Sequence, residues 1–130
     1  MPGLVTWKIR PSNWLVLIPL CLATALTITL LDIKAIFYSL KKKYEETTSL
    51  ASEFIRMYPD SILPYYQRGV TYYNNKKFIL AEADFNTAIE KDSDYIYAYK
   101  MRAKLYKKVG KKRKAKKDLK MVKKLEEKLH

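Results

Sequence analysis

The chain has one histidine and one cysteine, and neither stands where reactive chemistry can be built. His130 is the final residue and Cys21 lies inside an apolar run, so no nucleophile–base pair and no metal-ligand cluster can be assembled from them. A single cysteine also excludes an intramolecular disulfide, which leaves the redox compartment unread. Glycine is nearly as scarce: Gly3, Gly69 and Gly110 are each isolated, and no glycine-rich phosphate loop exists. The acidic pairs Glu45/Glu46 and Glu126/Glu127 are sequence neighbours, which point to different sides of a helix rather than converging as an acid and a base. These absences describe a non-enzyme with no cofactor, no metal and no small-molecule substrate. Few glycines and prolines beside 48% apolar residues also argue against disorder and for a packed core.

Acidic residues are missing from one region in particular. Residues 1–99 carry 11 basic and 10 acidic side chains, whereas residues 100–130 carry 15 basic and 3 acidic ones. Nearly all of the formal charge of +13 therefore belongs to the last quarter of the chain.

Charge of either sign is absent from Trp14 to Leu31. Those 18 residues span roughly 27 Å as a helix, near the hydrocarbon thickness of a bilayer, and predict a transmembrane helix over 14–31 behind an amino-terminal flank of residues 1–13. Trp7 and Trp14 suit the interfacial belt, and Pro19 is expected to kink the helix in its first turns. A cleavable signal peptide ending at Ala23-Thr24-Ala25 is the rival reading, but the apolar run continues past that point. A lipoprotein site at Cys21 is disfavoured by Leu20 before it. Lys8 and Arg10 precede the run, while Lys34, Lys41, Lys42 and Lys43 follow it. That bias places the rest of the chain on the cytoplasmic side, or its matrix or stromal equivalent, as a single-pass membrane protein.

The remainder of the chain is organised by a 34-residue spacing. Tyr65, Gly69 and Tyr72 recur as Tyr99, Ala103 and Tyr106, and Ala81, Phe85 and Ala88 recur as Ala115, Leu119 and Val122. Shifting back gives Leu31, Ala35, Tyr38, Thr47, Ala51 and Phe54, with Pro59 closing the unit. Small residues at the eighth, twentieth and twenty-seventh positions let two helices approach closely while aromatics fill the gaps. The pattern resembles the tetratricopeptide repeat (TPR), over about four-fifths of the chain. The resemblance implies an all-α fold: three antiparallel helix pairs in a short right-handed solenoid, at 28–61 (degenerate), 62–95 and 96–129. The transmembrane helix is expected to run directly into the first pair, since no Gly, Ser or Pro linker separates them. Departures from the family pattern are Arg68 and Arg102 at a usually apolar seventh position, Ser93 for proline and Val122 for alanine.

The resemblance also implies a groove lined by the second, fifth, ninth, twelfth and thirteenth residues of each first helix. In the central unit these are Leu63, Tyr66, Val70, Tyr73 and Asn74, and in the last they are Tyr97, Lys100, Lys104, Lys107 and Lys108. A groove that is half aromatic and half cationic favours a partner protein with an acidic segment. The family's chaperone-tail clamp pairs lysine at the fifth position with asparagine at the ninth, and neither unit has that pair. The last helix adds a basic surface of Lys111, Lys112, Arg113, Lys114, Lys116, Lys117, Lys120, Lys123 and Lys124. It reads as a solvated cap, or as a contact for anionic membrane lipid, for RNA, or for an acidic protein. The function expected is a membrane-anchored scaffold or adaptor in the assembly of a membrane complex. Two alternatives stay open: a permanent structural subunit of such a complex, and a membrane tether for a ribosome, RNA or anionic lipid.

Overall fold

The computed structural model describes residues 11–130, with side-chain surroundings from Ile18 onward. Among the described residues there are five helices and no strand: α1 (Pro11–Met57), α2 (Leu63–Asn74), α3 (Phe78–Lys91), α4 (Ile96–Lys108) and α5 (Lys112–Leu129). The chain divides into two compact units at Lys41/Lys42. Trp7, Lys8, Arg10 and the side chain of Trp14, on which the interfacial and orientation expectations rest, lie outside the described residues.

The first unit contributes the amino-terminal part of α1, which passes through Pro19. Its apolar side chains face outward: Leu20, Leu22, Leu26, Ile28, Leu30 and Leu31 are all more than half exposed. This part of the helix is long and apolar enough to cross a membrane. The Thr24, Thr27 and Thr29 hydroxyls donate to the carbonyls three residues earlier, at 2.8–2.9 Å. That removes three polar groups from an otherwise hydrocarbon surface.

The second unit holds the remainder of α1 and the four shorter helices. α2 packs on α3, α3 on α4, and α4 on α5, with a lighter contact between α2 and α4. The two hairpin turns are copies of one another. After α2, Lys76 takes a left-handed φ of 59°, with Lys76 N–H donating to Tyr73 O and Lys77 N–H to Tyr72 O. After α4, Gly110 takes φ 79°, with Gly110 N–H donating to Lys107 O and Lys111 N–H to Tyr106 O. This paired bonding through a left-handed residue satisfies the last carbonyls of each first helix and reverses the chain. Between α3 and α4, Asp92 Oδ1 accepts from Asp94 N–H at 2.9 Å, so an Asp side chain shapes the turn where Ser93 stands for the expected proline.

Residues 28–61 do not form the expected helix pair. α1 runs unbroken through 41–43, where the turn was expected. The sequence explains the difference. Asn74-Asn75 and Val109-Gly110 end their helices readily, whereas Leu40-Lys41-Lys42-Lys43 are good helix formers, and Lys42 pairs with Glu46 one turn on at 3.7 Å. Leu31, Ala35 and Tyr38 are correspondingly exposed instead of packed. In the second half of residues 28–61, Ala51 is buried and Ser52 reaches α2, but Phe54 is 51% exposed where Ala88 and Val122 are buried. Thr47, Leu50, Ala51 and Phe54 line an open apolar groove of about 400 Å³ with Leu63, Pro64 and Gln67 of α2.

The core forms where the 34-residue spacing puts small residues opposite large ones. Ala81, Phe85 and Ala88 are fully buried, as are Ala98, Ala103 and Leu105. A Cβ added to Gly69 would lie 2.8 Å from Phe85 Cε1, so glycine here is what lets α2 reach α3. The ring of Phe85 fills that space, and Ala81, Leu105, Tyr106 and Ala115 close around it. Leu119 departs from the pattern: at the place of Phe85 it is 41% exposed, because no described helix follows α5 to cover it.

Candidate functional site

The ten expected groove residues divide by environment. Tyr66, Val70 and Tyr73 of α2 are half-buried, leaning on the cluster around Phe85, so they present edges rather than whole side chains. Leu63, Asn74 and Tyr97 are exposed. At one end Tyr66, Tyr95 and Tyr97 form an aromatic cluster with ring centroids 5.4–6.4 Å apart. Towards the other end Lys104 Nζ lies 5.6 Å from the centre of the Tyr73 ring, joining the aromatic half to the cationic half. Lys100 is different from the other lysines. It pairs with Glu126 of α5 at 2.6 Å, and the hydrogen bond it donates to that carboxylate raises its pKa. Lys104, Lys107 and Lys108 make no ion pair among the described residues. The cationic half is therefore three lysines, not four.

The seventh-position arginines, departures from the family pattern, are built into the fold. Arg68 donates from Nε and Nη2 to both oxygens of Asp84, at 2.8 and 2.7 Å. Arg102 does the same to Asp118 at the same distances, one repeat further on. Each arginine also reaches the preceding helix: Nη1 of Arg68 donates to Ser52 Oγ at 3.0 Å, and Nη1 of Arg102 to Asn86 Oδ1 at 2.7 Å. Each guanidinium lies near two tyrosine rings, Tyr65 and Tyr72 in one case, Tyr99 and Tyr106 in the other. The bond to aspartate holds both arginine pKa values above their ordinary level, against desolvation. The sequence does carry a signal for these clasps. Arg68 and Asp84 recur together as Arg102 and Asp118, a pattern that shows only when the two positions are taken as a pair.

The basic surface also divides. Lys111 and Lys114 turn inward to Glu82, at 3.3 and 3.8 Å, over the ring of Tyr106. Tyr106 Oη donates to the same carboxylate at 2.8 Å. Burial alone raises the pKa of Glu82, but the Tyr106 hydrogen bond and the two lysines outweigh it and the net shift is downward. Burial and the bond to Glu82 push the Tyr106 phenol up to about 12. Lys111 and Lys114 stay exposed and tie the start of α5 to α3 through Glu82. Lys123 is exposed beside Glu127 at 4.0 Å. Lys112, Arg113, Lys116, Lys117, Lys120 and Lys124 are exposed, with no ion pair among the described residues. No group of three His, Cys, Asp or Glu able to hold a metal occurs among the described residues.

No protein-family profile matches the chain, and no curated protein does. Solved structures do. The first TPR domain of Spaghetti (RPAP3), bound to the HSP90 peptide SRMEEVD, is 30% identical with a TM-score of 0.63, over 68% of this chain and 71% of that one. The chain belongs to the TPR family. The second TPR domain of Spaghetti, bound to the same peptide, is 28% identical with a TM-score of 0.61, over 65% of this chain and 79% of that one. The TPR2B domain of yeast Sti1, in complex with pHsp70, is 26% identical with a TM-score of 0.62, over 68% and 70%. The described helices thus share the all-helical fold of these TPR domains, and within it the two Arg–Asp clasps tie α2 to α3 and α4 to α5.

Proposed function

We propose that this chain is a membrane-anchored TPR scaffold that holds an acidic segment of a partner protein along α2 and α4. The observation that carries the reading is the junction at Tyr73 and Lys104. There an aromatic strip of α2 passes into a row of lysines, Lys104, Lys107 and Lys108, left without internal counter-charge. An extended peptide can set apolar side chains against Tyr66, Val70 and Tyr73 and carboxylates against the lysines. The related Spaghetti domains, bound to a peptide ending in EEVD, support an acidic ligand. Tyr66 and Val70 stand where the chaperone-tail clamp wants lysine and asparagine, so recognition here runs through internal acidic side chains rather than a terminal carboxylate. The outward apolar surface of α1, with its hydroxyls bonded inward, supports the membrane anchor. Assembly of a membrane complex is the role such an anchored scaffold serves.

The test is photo-crosslinking in native membranes from a probe placed at Tyr97, which is 60% exposed. The expected result is capture of a defined partner, lost in the Lys104→Glu/Lys107→Glu/Lys108→Glu variant. Capture that survives the charge reversal refutes the groove as the site.

A further inference from the structure

We infer that the outward face of α5 is a docking stripe for an anionic lipid surface. At 100° per residue, Lys112, Arg113, Lys116, Lys117, Lys120 and Lys124 fall within an arc of about 140°. That arc lies opposite the buried Ala115, Asp118, Val122 and Leu125. The stripe is separate from the groove lysines on α4. Acidic groups are already committed elsewhere: Asp118 to Arg102, Glu82 to Lys111 and Lys114, Glu126 to Lys100, and Asp94 to Lys128. Glu127 falls on the same arc but at its carboxyl-terminal end, beside Lys123. Neighbours three and four apart along the stripe, such as Lys112/Lys116, Arg113/Lys117 and Lys116/Lys120, therefore repel one another. A face that serves only solubility mixes both signs and avoids this penalty. A self-repelling stripe gains when an external anionic surface meets it.

The shape and composition favour lipid over nucleic acid. The stripe is one straight helix face with no aromatic side chain for base stacking and a single guanidinium for base edges. Lysines near an anionic leaflet are attracted without any fitted pocket. The same chain carries a helix long and apolar enough to cross a membrane, which would hold the protein where headgroups are abundant. To that extent the inference rests on the anchor proposed above.

The experiment uses the full chain reconstituted in vesicles of phosphatidylcholine, with and without phosphatidylserine. Lysine reactivity toward an amine-reactive ester is read residue by residue by mass spectrometry, with exposed Lys76 as the reference. Failure to float with either vesicle would defeat the anchor and is seen before any labelling. The expected result is roughly fivefold slower labelling of Lys116, Lys117 and Lys120 with phosphatidylserine. Protection should vanish as salt rises from about 0.1 M to about 1 M and the screening length falls from ~10 Å to ~3 Å. The Lys116→Gln/Lys117→Gln/Lys120→Gln/Lys124→Gln variant should lose protection at Lys112 while its Tm stays level or rises, since repulsion is relieved. Equal labelling in the two vesicles overturns the inference. So does protection by a homopolymeric RNA where phosphatidylserine gives none, which would assign the stripe to nucleic acid.

Discussion

Replacing Asp118 by alanine removes the partner of a guanidinium that keeps only 17% of its side-chain surface exposed. Two of the three anchored donors of Arg102, Nε and Nη2, then lose their acceptor, while Nη1 keeps Asn86. One-sided loss of a fully buried pair costs ~3–5 kcal/mol. The residual exposure of Arg102, and its surviving contacts with the Tyr99 and Tyr106 rings, lower the expected cost to ~2–3 kcal/mol. Removing both charges in Arg102→Met/Asp118→Leu leaves only the half-buried Asn86 Oδ1 without its donor and restores apolar volume, so that variant should lie within ~1 kcal/mol of the parent. Urea unfolding of the full chain in detergent micelles measures this, since urea leaves ion pairs unscreened. Near-ultraviolet circular dichroism is the right signal, because ten of the eleven tyrosines lie beyond Lys41 and the long α1 does not dominate it. With a urea dependence of about 1–3 kcal/mol per molar, the single variant should shift its midpoint by about 1 M or more. A single variant within ~0.5 kcal/mol of the parent, the size of an exposed pair's effect, would refute the clasp as a buried ion pair. So would a double variant as unstable as the single one.

Gly69→Ala gains ~1 kcal/mol of helix propensity but sets a Cβ 2.8 Å from the fully buried Phe85 ring, an overpacking cost of ~1–3 kcal/mol. We expect a net loss of stability that shrinks when Phe85→Leu makes room; strict additivity of the two changes would contradict the contact. Tyr106 keeps its proton in the folded state to about pH 12, above its ordinary value of 10.0. Its stabilisation is therefore complete below pH 10 and lost as pH rises through 12, worth ~2 kcal/mol in all, and Tyr106→Phe should flatten that limb of the stability profile. Glu82 has the opposite sign: its lowered pKa contributes stability above its ordinary 4.5, lost as pH falls through the folded value, and Glu82→Gln should remove that acid dependence.

The parts of the fold legible in sequence are those fixed by local chemistry. Gly69, Ala81, Phe85 and Ala88 announced a close helix pair because only small residues permit that approach, and the structure buries all four. The turn at Gly110 was legible for another reason, since glycine takes its left-handed φ of 79° without strain. The turn at Lys76 was not, since lysine carries no preference for a left-handed conformation and takes it only because α3 packs back on α2. No turn forms at Lys41–Lys43 because the 34-residue spacing there competes with strong helix formers, and nothing in the spacing measures that competition. Among the groove residues, the sequence pattern named the positions but not their states. Lys100 is held by Glu126 of the next helix, and Tyr66, Val70 and Tyr73 are drawn half into the core.

By itself the sequence determined the composition of each helix face: an uncharged run in α1, a 34-residue alternation of small and aromatic residues, and a final helix nearly all lysine outside its apolar side. These are local properties, readable from periodicity because a helix face repeats along the chain. The tertiary structure alone decided which charges remain available. Arg68 and Arg102 are spent on Asp84 and Asp118, Lys111 and Lys114 on Glu82, and Lys100 on Glu126. Lys104, Lys107 and Lys108 and the stripe along α5 are among those left, because pairing depends on distances between helices that no one-dimensional pattern carries.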